Sequence, residues 1–236
     1  MGHSSPRIPS DFASRRSERP LGDHTRFLKA LFESPRLTGA VAPSGRRLAR
    51  AMARFVDPSG DGLVVELGPG TGPVTRALIE RGVARERLVL VEYDGGFCRL
   101  LAQRFAAVRI VQGDAYDLER TLAEFAGRPI AAVVSSLPLL NQPPALRLKL
   151  IEDAFALMGP DGVLVQFTYG LASPIPRQAC ARRFSAHCGA PIWRNLPPAR
   201  VWTYRADANG ASAEPLAARI RRRADQWLRG DRLPAR

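Results

Sequence analysis

Lysine is nearly absent from this 236-residue chain: Lys29 and Lys149 stand alone among 35 basic residues, and the rest are arginine. Cysteine is almost as scarce. Cys98, Cys180 and Cys188 cannot build a disulfide framework, so a reducing cytoplasm is the expected setting. Cys180, His187 and Cys188 also lack a recognisable zinc spacing, and no metal is expected. No uninterrupted apolar run approaches the roughly 20 residues of a membrane-spanning helix, and residues 1–26 lack the apolar stretch of a secretory signal. The chain is therefore expected neither to span a membrane nor to be secreted, which leaves peripheral membrane association open. Its 45% hydrophobic and 24% charged residues suit one α/β domain with extensions.

The net charge of +13 is uneven. Residues 1–60 hold 11 basic and 5 acidic groups, net +6; residues 61–172 hold 11 and 13, net −2; residues 173–236 hold 13 and 4, net +9. Codon composition can favour arginine over lysine, but it does not leave a neutral middle between two basic ends. That arrangement points to an anionic partner, either nucleic acid or a membrane surface.

Residues 1–20 are polar and Pro/Ser/Arg-rich and read as a disordered basic leader. Residues 21–33 (LGDHTRFLKALFE) have the period of a short amphipathic helix. Leu21, Phe27, Leu28, Leu31 and Phe32 share one arc, Arg26, Lys29 and Glu33 lie opposite, and Pro35 ends it. His24 falls on the apolar arc and reads more readily as packed than as functional. A second helix is expected from Gly45 to Val56, capped by Ser44, with Leu48, Met52, Phe55 and Val56 facing away from Arg46, Arg47, Arg50 and Arg54. Those arginines are either solvated or turned toward phosphates. Residues 21–60 thus form a leading pair of amphipathic helices, residues 61–206 the main domain, and residues 207–236 a basic tail with an amphipathic stretch at 214–229.

From Leu63 onward, short β-rich runs alternate with helical segments. The strands are expected at 63–67, 88–92, 108–111, 130–136 and 163–169, with helices near 73–81, 95–106, 117–126 and 143–158. Mostly apolar strands separated by helices predict a parallel sheet covered on both faces. Two further strands at 191–195 and 200–205, with no helix between them, predict an antiparallel edge pair.

The chemistry begins at Val64-Val65-Glu66-Leu67-Gly68-Pro69-Gly70-Thr71-Gly72, a strand that enters a glycine-rich turn and then a helix. Glycine lets backbone approach a ligand where a side chain would collide. A dinucleotide fingerprint wants a glycine where Pro73 stands; the E-x-G-x-G-x-G pattern here is instead the one associated with S-adenosylmethionine. Glu92 ends the second strand, 24 residues after Gly68, where a carboxylate can take both ribose hydroxyls. Asp114, followed by Ala115, comes just after the third strand, where it can accept from an adenine amino group. Carboxyl ends of consecutive strands are where open α/β sheets bind ligands.

On VVELGPGTGPVT (64–75), VEYD (91–94), QGDA (112–115), SSLPLLN (135–141) and QFTYG (166–170), the chain resembles class I S-adenosylmethionine-dependent methyltransferases. The resemblance is strongest to bacterial soluble-type phosphatidylethanolamine N-methyltransferases, themselves similar to ribosomal RNA adenine dimethylases. It spans roughly residues 25–205, including the leading stretch 27–45. It implies a Rossmann-like doubly wound sheet, mostly parallel with an antiparallel C-terminal edge. It also implies S-adenosylmethionine as methyl donor, held by Glu66, Gly68, Gly70, Gly72, Glu92, Asp114 and Ala115. In adenine dimethylases the loop after strand four reads N-L-P-Y; the matching positions here are Ser136-Leu137-Pro138-Leu139. Serine replaces the asparagine, and leucine replaces the aromatic residue that would stack on a flipped base. Too few residues follow Arg205 for the dimethylases' C-terminal helical domain.

The expectation is methyl transfer to a non-aromatic amine, that of phosphatidylethanolamine and its methylated forms, on the inner face of the cytoplasmic membrane. RNA or a small molecule is the alternative substrate, and a non-catalytic RNA- or membrane-binding module a further one. Ser135, Ser136, Asn141 and Tyr169 are the candidate catalytic residues, with Tyr116 nearby. Carbonyls of the 135–138 loop would orient the amine, although Tyr169 also reads as a core aromatic and Asn141 as a turn residue. Phe27, Leu28, Leu31 and Phe32, with Arg26 and Lys29 at anionic head groups, are the expected membrane contacts.

Overall fold

A computed structural model of the chain describes residues 43–176, 184–193, 195 and 198–206. The expected helix at 21–33, with Arg26, Phe27, Leu28, Lys29, Leu31 and Phe32, lies outside the described residues, as do the leader and the tail at 207–236.

Seven strands form one sheet in the order β3-β2-β1-β4-β5-β7-β6. They are β1 (Leu63–Leu67), β2 (Leu88–Glu92), β3 (Arg109–Gln112), β4 (Ile130–Ser135), β5 (Met158–Thr168), β6 (Phe184–Cys188) and β7 (Arg200–Ala206). β1 to β5 are mutually parallel, and β7 runs antiparallel to both β5 and β6. The helices are α1 (Pro43–Ala53), α2 (Pro73–Glu80), α3 (Gly95–Arg104), α4 (Leu118–Thr121) and α5 (Pro144–Leu157). Every residue of β1 and β2 is buried, as strands covered on both faces require. One face packs α1, α2 and α3 through Met52, Leu78 and Leu101; the other packs α5 through Leu150 and Ile151.

Local chemistry sets the helix ends. Pro73 and Pro144 open α2 and α5, where a missing N–H costs nothing. Gly82, at φ 103°, ends α2: its N–H donates to Ile79 C=O at 2.9 Å and that of Val83 to Leu78 C=O at 3.1 Å, a Schellman closure. The strand order reverses beside β1, which lies between β2 and β4, so the crevice at their carboxyl ends is the topological switch point.

The sheet confirms the expected fold class, with local departures. The strand expected at 191–195 is a turn holding a single bridge, Ile192 to Ala199, and β7 pairs instead with Phe184–Cys188. Pro191 and Pro198 have no N–H to give a ladder. The Phe184–Cys188 strand is largely exposed, so its sequence carries no apolar run. The helix expected at 117–126 is one turn of α4 followed by a 3-10 turn at Ala123–Phe125, which still buries Leu118, Leu122 and Phe125. α1 begins at Pro43, ahead of the expected Ser44 cap, and ends at Ala53. Among its arginines, Arg50 pairs with Glu80 at 3.2 Å, while Arg46, Arg47 and Arg54 are solvent-exposed.

Candidate active site

Gly68, Gly70 and Gly72 all adopt positive φ (66°, 56° and 82°), so the turn after β1 uses the left-handed region at alternate positions, where other residues would be strained. Two of the glycines also make room. A Cβ on Gly68 would lie 2.7 Å from Leu137 Cδ2, and one on Gly72 would lie 2.3 Å from the Phe105 ring. The loop after β4 thus closes over the start of the turn, and the α3 side packs against its end.

Glu66 is buried beneath this turn and accepts a 2.7 Å hydrogen bond from Thr75 Oγ1 on α2. Burial pushes its carboxyl up to about 8, the Glu92 charge adding to the effect and the Thr75 bond opposing it. Glu66 therefore braces the glycine turn from within. Glu92 ties the turn to the second strand: Oε2 accepts from Gly70 N–H and Oε1 from Asp94 N–H, each at 3.0 Å. A carboxylate offers about two lone pairs per oxygen, so each oxygen keeps one for a ligand. Asp94 is the N-cap of α3, its Oδ1 accepting from Gly96 and Phe97 N–H at 2.7 and 3.0 Å.

Asp114 is exposed beyond β3. Its Oδ1 accepts from Tyr116 N–H at 2.8 Å, and Oδ2 has no partner among the described residues. Ala115 turns its side chain into the core and leaves only backbone near the crevice. The Gly68, Gly113 and Ser136 N–H groups donate to Val91, Glu92 and Leu67 carbonyls, extending the parallel ladder one residue past the strand ends. Gly68, Gly70, Glu92 and Asp114 are thereby held at one rim.

The other side of the crevice rises from β4 and β5. Ser135 and Ser136 are buried at the end of β4. Pro138 (φ −78°, ψ 69°) centres an inverse γ-turn in which Leu139 N–H donates to Leu137 C=O at 2.9 Å. Gln166, fully buried on β5, donates from Nε2 to that same carbonyl at 2.9 Å and to Phe167 C=O at 2.7 Å. The Leu137 carbonyl is thus saturated, which leaves the amine-orienting role expected of the 135–138 carbonyls to the others of that loop. That of Ser136 has no such partner among the described residues. Asn141 is exposed on the same turn, its N–H bonded to Pro138 C=O at 3.0 Å.

Tyr169 is partly exposed just past β5, edge-on to Phe167 with ring centroids 5.3 Å apart. Burial raises its phenol above the ordinary range, opposed by a hydrogen bond with Asn195. Tyr116 is pushed up to about 12 by burial and then by the Asp114 charge, with Gln142 opposing. Both phenols stay protonated near neutrality, so they serve as hydrogen-bonding walls and not as bases.

Gln166 is the residue that motif reading passed over. Its signal was a lone amide inside the apolar run VLVQF, which must find partners when buried. Its Oε1 and the indole N–H of Trp202, its register partner on β7, have no hydrogen-bond partner among the described residues.

A glycine cradle at the switch point of a 3-2-1-4-5-7-6 sheet, with carboxylates on β2 and after β3, defines a class I S-adenosylmethionine-dependent methyltransferase. The family model for ribosomal RNA adenine dimethylase matches residues 51–152. An ornithine lipid N-methyltransferase of Singulisphaera acidiphila is 33% identical over 183 residues, covering 76% of this chain and 94% of that protein. Ribosomal RNA small subunit methyltransferase A of Caulobacter vibrioides is 40% identical over 95 residues, covering 39% of this chain and 34% of that protein. The solved 1,6-didemethyltoxoflavin-N1-methyltransferase of Burkholderia thailandensis, with bound S-adenosylhomocysteine, superposes with a TM-score of 0.53 at 19% identity, covering 80% of this chain and 92% of that one. The chain belongs to the S-adenosylmethionine-dependent N-methyltransferase family that holds the ornithine lipid N-methyltransferase, with the ribosomal RNA adenine dimethylases as relatives.

Proposed function

We propose that this enzyme methylates the head-group amine of a membrane lipid, phosphatidylethanolamine and its mono- and dimethyl forms foremost, at the inner face of the cytoplasmic membrane. The carrying observation is the aliphatic loop Leu137–Leu140 beside the glycine turn. Leu139 is buried in the core where a base-methylating loop carries a stacking aromatic, so a flat base has no platform there. The ornithine lipid N-methyltransferase, matched along nearly its whole length, supports a lipid amine.

Bound S-adenosylmethionine supplies an electrophilic methyl group. Gly68, Gly70 and Gly72 give its methionine part backbone without side chains, Glu92 takes the ribose hydroxyls, and Asp114 takes the adenine amino group. Ser135, Ser136 and Tyr169 line the amine side, and Asn141 stands at its mouth. The Ser136 carbonyl accepts from the amine and turns its lone pair toward the methyl group, an alignment that carries most of the acceleration in a simple displacement. An ethanolamine ammonium must first lose a proton. Because both nearby phenols stay protonated, neither is the proton acceptor; the ammonium loses its proton to solvent before the amine seats in the crevice, and the rate rises with pH toward the pKa of the amine.

Ribosomal RNA adenine is the second reading, favoured by the family match over the cofactor half. Incubation with methyl-labelled S-adenosylmethionine, anionic vesicles containing phosphatidylethanolamine or ornithine lipid, and deproteinised ribosomal RNA separates the two. Label in phosphatidylethanolamine is expected. Label in RNA alone, or in no lipid at any salt concentration, overturns the proposal.

A further inference from the structure

Among the described residues, the exposed large hydrophobic side chains are Tyr93, Leu140, Tyr169, Leu171 and Trp193, and all but Tyr93 belong to one edge of the sheet. Leu171 is 84% exposed and Trp193 75%. Leu140 follows β4, Tyr169 and Leu171 follow β5, and Trp193 sits in the connection leading into β7. Because β7 is antiparallel, with Arg200 opposite Thr168, that connection meets the carboxyl ends of β4 and β5. The loops touch one another. Leu140 Cδ1 lies 2.8 Å from where a Cβ on Gly170 would be, and Tyr169 hydrogen-bonds Asn195, two residues from Trp193.

We propose that Leu140, Tyr169, Leu171 and Trp193 form a membrane-inserting rim that seats the amine side of the crevice against the head groups of an anionic bilayer. The inference rests on the lipid-amine reading above and concerns residues other than the stretch 21–33 expected from the sequence to meet the membrane. The rim is held outward by its supports. Thr168 Oγ1 accepts from Gly170 N–H at 2.9 Å, Ser173 Oγ from Ile175 N–H at 3.1 Å, and Arg147 Nη1 donates to Pro174 C=O at 2.9 Å. These bonds hold the backbone on both sides of Leu171 where the side chain stands exposed. Trp and Tyr suit the depth where one end of a side chain is wet and the other greasy. The charge fits an anionic surface: Arg200 stands at the same edge, and the chain as a whole carries net +13. A second copy of the chain is a poorer occupant. Four side chains of this kind expose on the order of 500 Å² together, short of the roughly 800 Å² per partner of a stable dimer.

The test uses the full chain carrying Leu171→Asp with Trp193→Asp, neither residue being in the transfer machinery. Sedimentation with phosphatidylglycerol vesicles containing phosphatidylethanolamine should fall about tenfold or more, because two charges now face the hydrocarbon boundary. Methylation of bilayer lipid should fall in parallel. Methylation of monomeric dihexanoyl-phosphatidylethanolamine and the affinity for S-adenosylhomocysteine should stay within about twofold. Unchanged sedimentation and bilayer turnover would overturn the rim in favour of residues 21–33 or the tail. A wild-type dimer abolished by the variant, with vesicle binding intact, would overturn it in favour of self-association.

Brominated-lipid quenching avoids any folding defect in that variant. In a Trp227→Phe background only Trp193 is exposed, since Trp202 is buried at 6%. Quenching by lipids brominated near the glycerol is expected, and its absence overturns the rim. Neither binding measurement needs turnover, so docking without lipid methylation would refute the substrate reading alone.

Discussion

On the β1–β3 side of the crevice, the polar groups that face the cradle are held in backbone-to-carboxylate hydrogen bonds: Gly70 and Asp94 N–H donate to the two oxygens of Glu92, and Tyr116 N–H to one of Asp114. On the β4–β7 side, one buried amide donates to the Leu137 and Phe167 carbonyls, its own oxygen has no partner among the described residues, and apolar side chains stand in solvent. The first side is a rigid mould for one ligand. The second is a partly open, largely apolar surface. Preorganised geometry suits a common donor, and an open apolar wall suits a substrate that arrives from a lipid phase.

Substitutions sharpen this contrast. Gly70→Arg should have the largest effect, a loss of roughly 100-fold or more in S-adenosylhomocysteine affinity by calorimetry, since it combines strain at φ 56° with a side chain in the cradle. Vesicle association should survive it. If cofactor affinity also survived, the rigid-mould account of the first side would be wrong.

Glu66 comes next and is read through stability. With its folded pKa near 8 and its ordinary value 4.5, the folded state keeps a proton that the unfolded state has released. Stability should therefore decline as pH rises through this window, by about 3.5 kcal/mol between pH 5 and 8. Glu66→Gln should flatten that slope in urea titrations. An unaltered slope would show that Glu66 is ionised in the fold.

Gln166→Leu should cost about tenfold in KM for the amine substrate while leaving S-adenosylhomocysteine affinity within about twofold, because it frees the Leu137 carbonyl without touching the glycine turn. Gln166→Glu keeps the shape but turns an acceptor toward two carbonyls, so it should be worse. An equal loss on cofactor binding would mean the two sides are one unit. The smallest effect belongs to Arg50→Ala, under about 0.5 kcal/mol by denaturant titration, as its pairing with Glu80 is largely solvated.

Legibility in the sequence follows the same divide. Glycines at fixed spacing and carboxylates at strand ends are written in one short stretch each, so the cradle and all five parallel strands were readable. The Phe184–Cys188 strand was not, because an exposed edge strand carries no apolar rhythm. The turn at 191–195 looked extended because Pro191-Ile192-Trp193 is apolar, and only the pairing partner decides such a segment. Gln166 was visible as an oddity, but its partner is 29 residues away in sequence, a separation no motif expresses.

A crystal structure of the chain with S-adenosylhomocysteine and a short-chain phosphatidylethanolamine tests the central claim most directly. The ethanolamine nitrogen is expected within about 3 Å of the Ser136 carbonyl oxygen, with the acyl chains leaving the crevice at the carboxyl ends of β4 and β5. A head group bound away from the carboxyl ends of β4 and β5, with that position filled by protein side chains, would contradict the account.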